Sequence, residues 1–166
     1  MTDPKKANRF QLLIQKLAAT RAGSQALAII LPYLDHGVLT LSKGRLNATS
    51  MMAGLPLITV TTKGARSGRP RIVRLVAVPD SKGYAVIASS FGRTKNPAWY
   101  YNLLAHPRVA VASGERSDSF IAREAGSADR EAIWQRALEL YPGFASYRER
   151  ASHRTIPIMI LESVTR

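Results

Sequence analysis

Twelve residues near the middle of the chain, KGARSGRPRIVR from Lys63 to Arg74, carry five basic side chains and no acid. A Gly/Ser/Pro turn between two strand-like runs exposes backbone amides, and guanidinium groups fork bidentately onto phosphate or carboxylate oxygens. Arg66, Arg69 and Arg71 are therefore candidates for an anion site. The plainer reading is a solvated hairpin tip whose charges only aid solubility. The G-x-R-S-G spacing is not a Walker loop, because it lacks the Lys-Ser/Thr ending and a following helix.

A second stretch, ASSFGRTKNPAWYYNLLAHP from Ala88 to Pro107, begins as the end of an apolar strand and turns polar. Asn96-Pro97 is expected to open a helix, with Asn96 capping its free amides, and Pro107 to close it. Basic Arg93 and Lys95 beside Trp99, Tyr100 and Tyr101 suit a flat, anionic ligand; equally, the aromatics can be core. A third stretch, YPGFASYRERASHRTIP, places Tyr141, Phe144 and Tyr147 on a turn-rich segment. They either cover the end of the fold or line a pocket over a planar ligand.

Familiar catalytic sets are absent. His36, His106 and His153 are scattered, no pair has metal-ligand spacing, and the few acids do not cluster. Ser89 and Ser90 lie outside a G-x-S-x-G elbow. With no cysteine, thiolate chemistry, thiolate metal sites and disulfides are excluded. If the chain is an enzyme, a bound cofactor performs the chemistry while the protein orients it.

The elements that must position these residues follow from pattern. LITVTTKG, RIVRLVAVPD and YAVIASS are β-branched strand runs separated by the basic turn and by Asp80–Gly83. RVAVASG and SFIAREA form two more, joined by a polar turn around Glu115. RTIPIMILES makes a sixth, in which Pro157 indicates an edge or bulge position. Ser127 is expected to cap a helix over SADREAIWQRALELY, with Ile133, Ala137 and Leu140 on one face and Trp134, Leu138 and Tyr141 on another. The YPGFASYRERASH stretch reads as irregular or briefly helical. These patterns describe an α+β protein on a small, mainly antiparallel barrel of about six strands with inserted helices.

Residues 1–50 read as a separate basic helical segment ahead of a barrel domain at 51–166. Phe10, Leu13, Ile14 and Leu17 recur at helical spacing, Gly23-Ser24 is expected to break that helix, and seven basic side chains face two acids. Such a segment packs on its own domain or lies on an anionic membrane. The whole chain, 166 residues with a net charge of +13, favours a polyanionic partner. It has no apolar run of about 18 residues and no secretory leader, so a cytoplasmic location is expected, with peripheral contact at the inner membrane face through the basic segment. An RRM-type aromatic signature is missing, which argues against nucleic acid.

LITVTTKGARSGRPR, ASSFGRTKNPAWYYNLLAHPRVAV, IAREA and YPGFASYRERASHRTIPI together resemble the deazaflavin-dependent nitroreductase family, in order, over roughly residues 35–162. The resemblance implies a split β-barrel that binds coenzyme F420 in a basic groove. It further implies hydride transfer from C5 of the reduced deazaflavin to an electron-poor acceptor such as a quinone, enone or nitroaromatic. The cofactor-binding set it implies is Lys63, Arg66, Ser67, Arg69, Arg71, Ala88, Ser89, Ser90, Arg93, Lys95, Trp99, Tyr100 and Asn102. Within it, Arg66 and Arg71 would grip the phosphate and oligoglutamate tail. Ser89, Tyr141 and Tyr147 are the implied catalytic residues, and Tyr141, Phe144 and Tyr147 the implied acceptor wall. This chain departs from the family pattern at Ser90-Phe91, in place of Lys-Gly, and at Arg74, in place of Pro. Phe144 stands where relatives that reduce bicyclic nitroimidazoles have Tyr, which implies apolar acceptors instead. An FMN-binding split barrel and a non-catalytic deazaflavin carrier are the alternatives, with either a monomer or a homodimer allowed.

Overall fold

A computed structural model describes residues 55–114 and 116–164, together with Arg9, Leu13, Lys16, Thr20 and Gly23. The elements are β1 (Leu57–Lys63), β2 (Pro70–Val76), β3 (Val78–Asp80), β4 (Gly83–Ile87), α1 (Ala98–Ala105), β5 (Arg108–Ser113), β6 (Arg116–Glu124), α2 (Ser127–Leu140), α3 (Gly143–Arg150) and β7 (Ile158–Ser163). The strands form one antiparallel sheet in the order β2-β1-β5-β6-β7-β4-β3.

Seven strands stand where about six were expected, because the run after the basic turn splits at Ala77. That split explains the curl. β2 and β3 are the two outermost strands, yet one residue joins them. Laid flat, six inter-strand gaps would separate them by about 29 Å. Two Cα–Cα steps cover less than about 8 Å. The sheet must therefore roll until its edges meet, and Ala77, buried at the seam, donates its amide to the Pro56 carbonyl at 2.9 Å. The result is a split β-barrel in an α+β fold.

Alternation along the strands sorts the core into two clusters. Ile58, Val60, Val86, Val109, Val111, Phe120, Met159 and Leu161 fill the barrel with Tyr100 and Leu103 of α1. Ala85, Ile87, Ile158 and Ile160 face outward, beneath Ile133, Trp134 and Ala137 of α2 and Phe144 and Tyr147 of α3. β4 and β7 are thus buried on both faces, which is why IPIMIL reads as an unbroken apolar run. Fully burying one such side chain contributes about 1.5–3 kcal/mol.

Several local expectations change. β7 lies between β6 and β4, not at an edge. Pro157 sits one residue ahead of it, where a missing N–H costs no ladder bond, and its carbonyl accepts from Ala88 at 2.9 Å. Pro97 and Gly126 are the residues that precede α1 and α2, and neither Asn96 nor Ser127 caps its helix. The YPGFASYRERASH stretch contains the regular helix α3. In the N-terminal segment Gly23 is helical, and the bend falls at Thr20, whose Oγ1 accepts from the Gly23 amide at 3.0 Å. The second apolar helix, the stretch to residue 50 and the turn at Glu115 lie outside the described residues. So does the choice between packing and membrane contact. Among the described residues, no helix is long and apolar enough to cross a membrane.

Candidate active site

Antiparallel pairing determines what gathers at each end of the barrel. The C-terminal ends of β1, β4 and β6 and the N-terminal ends of β2, β5 and β7 share one rim. That rim therefore carries the 64–69 hairpin tip, the 88–97 loop, α1 and the segment that leads into β7. The three stretches singled out by composition, far apart in sequence, meet there.

The hairpin tip is built from short polar contacts. The Gly64 amide donates to the Arg69 carbonyl at 2.9 Å and the Gly68 amide to the Gly64 carbonyl at 2.8 Å, with Gly68 left-handed at φ +65°. Ser67 Oγ accepts weakly from the Arg69 amide at 3.4 Å, a role internal to the turn. Lys63, Arg66, Arg69 and Arg71 are exposed, as are Arg93 and Lys95 on the neighbouring loop. Among the described residues none of these six cations has a carboxylate partner. Asp80, Asp129 and Glu162 instead pair with Arg136, Arg123 and Lys82 on other parts of the surface. A cluster of unneutralised cations concentrates positive potential at this rim, which suits an anion.

Asn102 does not open onto the surface of the rim. It is buried, its Oδ1 accepts from the Ala65 amide at 2.9 Å, and its Nδ2 donates to Thr62 Oγ1 at 3.2 Å. Thr62 Oγ1 in turn donates to the Arg71 carbonyl at 3.2 Å. Asn102 is thus a brace that ties α1 to the basic hairpin. Tyr100 is likewise buried in the barrel core, and its hydroxyl donates to Glu124 Oε2 at 3.0 Å. Burial, helped by that carboxylate, raises its pKa. Trp99 is half-buried beside the same core.

The 88–97 loop has an uncommon backbone. Ser90, Phe91 and Gly92 are consecutive left-handed residues, at φ +48°, +57° and +79°. For the two with a Cβ the conformation costs about 1–2 kcal/mol each. Hydrogen bonds from charged donors, worth about 1.5–3 kcal/mol each, offset it. Arg154 donates from Nη2 to the Ser89 carbonyl at 2.9 Å and from Nε to the Arg93 carbonyl at 3.0 Å. Its Nη1 donates to Asn96 Oδ1 at 2.6 Å, which is why Asn96 does not cap α1. Arg150 Nε donates to the Phe91 carbonyl at 3.3 Å. Ala88 and Ser89 are buried and Ser90 is half-buried at the start of this loop.

Tyr141, Phe144 and Tyr147 take the core alternative. Each is about 5% exposed, within the cluster under α2 and α3. Their rings meet edge-on or tilted at 5.4–6.0 Å, and the two tyrosine hydroxyls lie 3.1 Å apart. Phe91 packs edge-on against Tyr147 at 5.7 Å, so the aromatic cluster supports the loop from beneath. Burial pushes the Tyr147 hydroxyl well above the ordinary tyrosine range, and the adjacent Tyr141 adds to the shift. Both phenols hold their protons.

The basic hairpin and the 88–97 loop, which sequence reasoning assigned to one site, lie at the same rim of the barrel, whereas Arg150 and Arg154 were passed over. Their spacing of four, immediately before the last strand, was the available signal. Among the described residues no cluster of His, Asp and Glu suits a metal.

A rolled antiparallel sheet with a cationic rim is the split-barrel architecture of flavin- and deazaflavin-binding oxidoreductases. The model of the F420H(2)-dependent quinone reductase family matches residues 39–163, and the chain belongs to that family. It is 30% identical over 109 residues to the F420H(2)-dependent quinone reductase Rv1261c of Mycobacterium tuberculosis (strain ATCC 25618 / H37Rv), covering 64% of this chain and 72% of the relative. Among solved structures it is similar to an F420-H2 dependent reductase (FDR-A), with 40% identity, a TM-score of 0.59, and coverage of 64% of this chain and 94% of that one. It is also similar to a chain described as a domain-swapped dimer, with 34% identity, a TM-score of 0.61, and coverage of 79% and 98%.

Proposed function

We propose that this protein binds reduced coenzyme F420 along the cationic rim and passes its hydride to an electron-poor acceptor of the quinone type. The observation that carries the reading is the set of exposed cations without carboxylate partners at the hairpin tip and loop, in a chain of this family. Those residues fit a ligand with a phosphate and a run of carboxylates. The coenzyme, when bound, supplies a two-electron hydride donor at C5 of the reduced deazaflavin.

The chain's own residues do the rest. Lys63, Arg66, Arg69 and Arg71 hold the anionic tail from one side, with Arg93 and Lys95 from the other. Trp99, on the first turn of α1, walls the groove, and Ser89 and Ser90 border it at the end of β4. Asn102 keeps the hairpin at its distance from α1, so the two walls are set before the ligand arrives, which lowers the ordering cost of binding. The Tyr147 hydroxyl keeps its proton at neutral pH and is not a base. Solvent supplies the proton that completes acceptor reduction.

Parallel fluorescence titrations with oxidised F420 and with FMN, followed by F420H2 oxidation with a soluble quinone, test the reading. F420 should bind more tightly than FMN, and absorbance of the reduced coenzyme should be lost only when quinone is present. Tighter binding of FMN would replace the deazaflavin reading with that of a flavin-binding split barrel. Binding without turnover across quinones, enones and nitroaromatics would leave a carrier.

A further inference from the structure

We propose that Arg154 is a positioning residue that holds the 88–96 loop in its left-handed form and thereby sets how tightly the groove takes its coenzyme. The part concerning the coenzyme rests on the function proposed above; the part concerning the loop does not.

Four acceptors on one nine-residue segment converge on this guanidinium. Besides the Ser89 and Arg93 carbonyls and Asn96 Oδ1, its Nη2 lies 3.4 Å from the Ala88 carbonyl. The planar fork of an arginine reaches acceptors on several sides at once, which the point charge of a lysine does not. Arg154 is itself fixed, since its amide donates to the Ala151 carbonyl at 2.9 Å just beyond α3. Arg154 is half-buried, and that burial lowers its pKa. Arg150 takes the Phe91 carbonyl, so four consecutive-neighbourhood carbonyls, at Ala88, Ser89, Phe91 and Arg93, turn toward the α3 side. Three successive left-handed residues do not persist unaided: the Gly92–Ser89 and Arg93–Ser90 backbone bonds and the Phe91–Tyr147 contact act within and beneath the turn, and the arginine bonds hold its carbonyls from the α3 side. The loop they hold presents Ser90, Arg93 and Lys95 at the rim.

The test uses the full chain with Arg154→Lys, Arg154→Gln and, as a mild variant, Asn96→Ala, which removes one acceptor and leaves the arginine. Hydrogen–deuterium exchange of the ligand-free protein is read at residues 88–96 and, as a control, at the β4–β7 ladder. Exchange in the loop should speed up roughly tenfold or more in both Arg154 variants, and less in Asn96→Ala, with the ladder unchanged. F420 affinity, read by fluorescence, should fall in the same order, and Arg154→Lys should not restore it although the charge is kept. The KM for F420H2 should rise while the KM for the quinone stays put. Wild-type loop exchange in Asn96→Ala and in both Arg154 variants would overturn the proposal. Faster loop exchange in a protein whose wild type ignores F420 would sustain the clamp and sink the coenzyme reading instead.

Discussion

Asn102, Thr62 and the Arg71 carbonyl form a buried polar chain, and the Ala65 amide completes it. Each member has a partner in it, so truncating one leaves others unmatched in a partly buried setting. Asn102→Leu should lower stability by about 1–3 kcal/mol, measured by urea unfolding. It should also weaken coenzyme binding, because the hairpin loses its tie to α1. The paired tyrosines make a different prediction. Burial raises the pKa of Tyr141 and Tyr147 above the 10.0 of a free tyrosine, so the folded protein keeps protons that the unfolded chain releases. Their contribution is complete below pH 10 and is lost as pH rises through the folded values. Stability should therefore fall above about pH 10. A Tyr141→Phe, Tyr147→Phe double variant should show a shallower fall by chemical denaturation across that range.

Loop 88–97 is the element on which the proposed site turns, and its tightest point is Gly92. A Cβ there would lie 2.6 Å from Arg150 Cβ and 3.1 Å from the Tyr147 carbonyl, at a φ of +79°. Gly114, at φ +64°, has nothing within 4 Å of its Cβ position among the described residues. Gly114→Ala should cost about 1 kcal/mol from backbone strain alone. Gly92→Ala should cost clearly more, since α3 must shift as well. Thermal melts of the two variants separate conformational strain from contact, and equal melting temperatures would show that α3 yields freely. The aromatic cluster under the loop belongs to the same element-scale design. Phe91, Tyr147 and Phe144 link loop to helix to sheet.

For the molecule as a whole, charge placement matters more than charge count. The acids in ion pairs sit on β3, β7 and α2, which leaves the hairpin and loop cations unneutralised by described carboxylates. Exposed cations are screened by salt, over about 10 Å at 0.1 M and about 3 Å at 1 M. Coenzyme affinity should thus drop as salt rises and increase with the number of glutamates in its tail. Arg66→Gln should weaken binding roughly three- to tenfold at low salt, with a smaller loss at 0.5 M. Isothermal titration at two salt concentrations checks this, and a salt-independent loss would mean that Arg66 acts through structure.

Much of the fold was legible in the residues themselves, as were the exposed cations from which the proposed site starts. Period-two alternation in LITVTT and the doubly apolar IPIMIL announce strands because side chains alternate across a sheet. The dense positive run at Lys63–Arg74 marks a turn on local chemistry alone, and the proposed anion preference starts from its exposed cations. Family membership was legible too, from four stretches matched in order. What local pattern does not carry is which groups spend their polar atoms on one another. Asn102 and Tyr100 look like ligands in sequence, yet the rolled sheet turns them inward, onto Ala65 and Thr62 and onto Glu124. Tyr141, Phe144 and Tyr147 could have been pocket or core, and only packing of α2 and α3 on β4 and β7 decides for core. Arg154 looks like one more surface charge until the chain return into β7 sets it beside residues 88–96, 58 to 66 positions earlier. Local preference is a property of neighbours in sequence, whereas burial and hydrogen-bond partnership depend on distances that exist only once the sheet has closed.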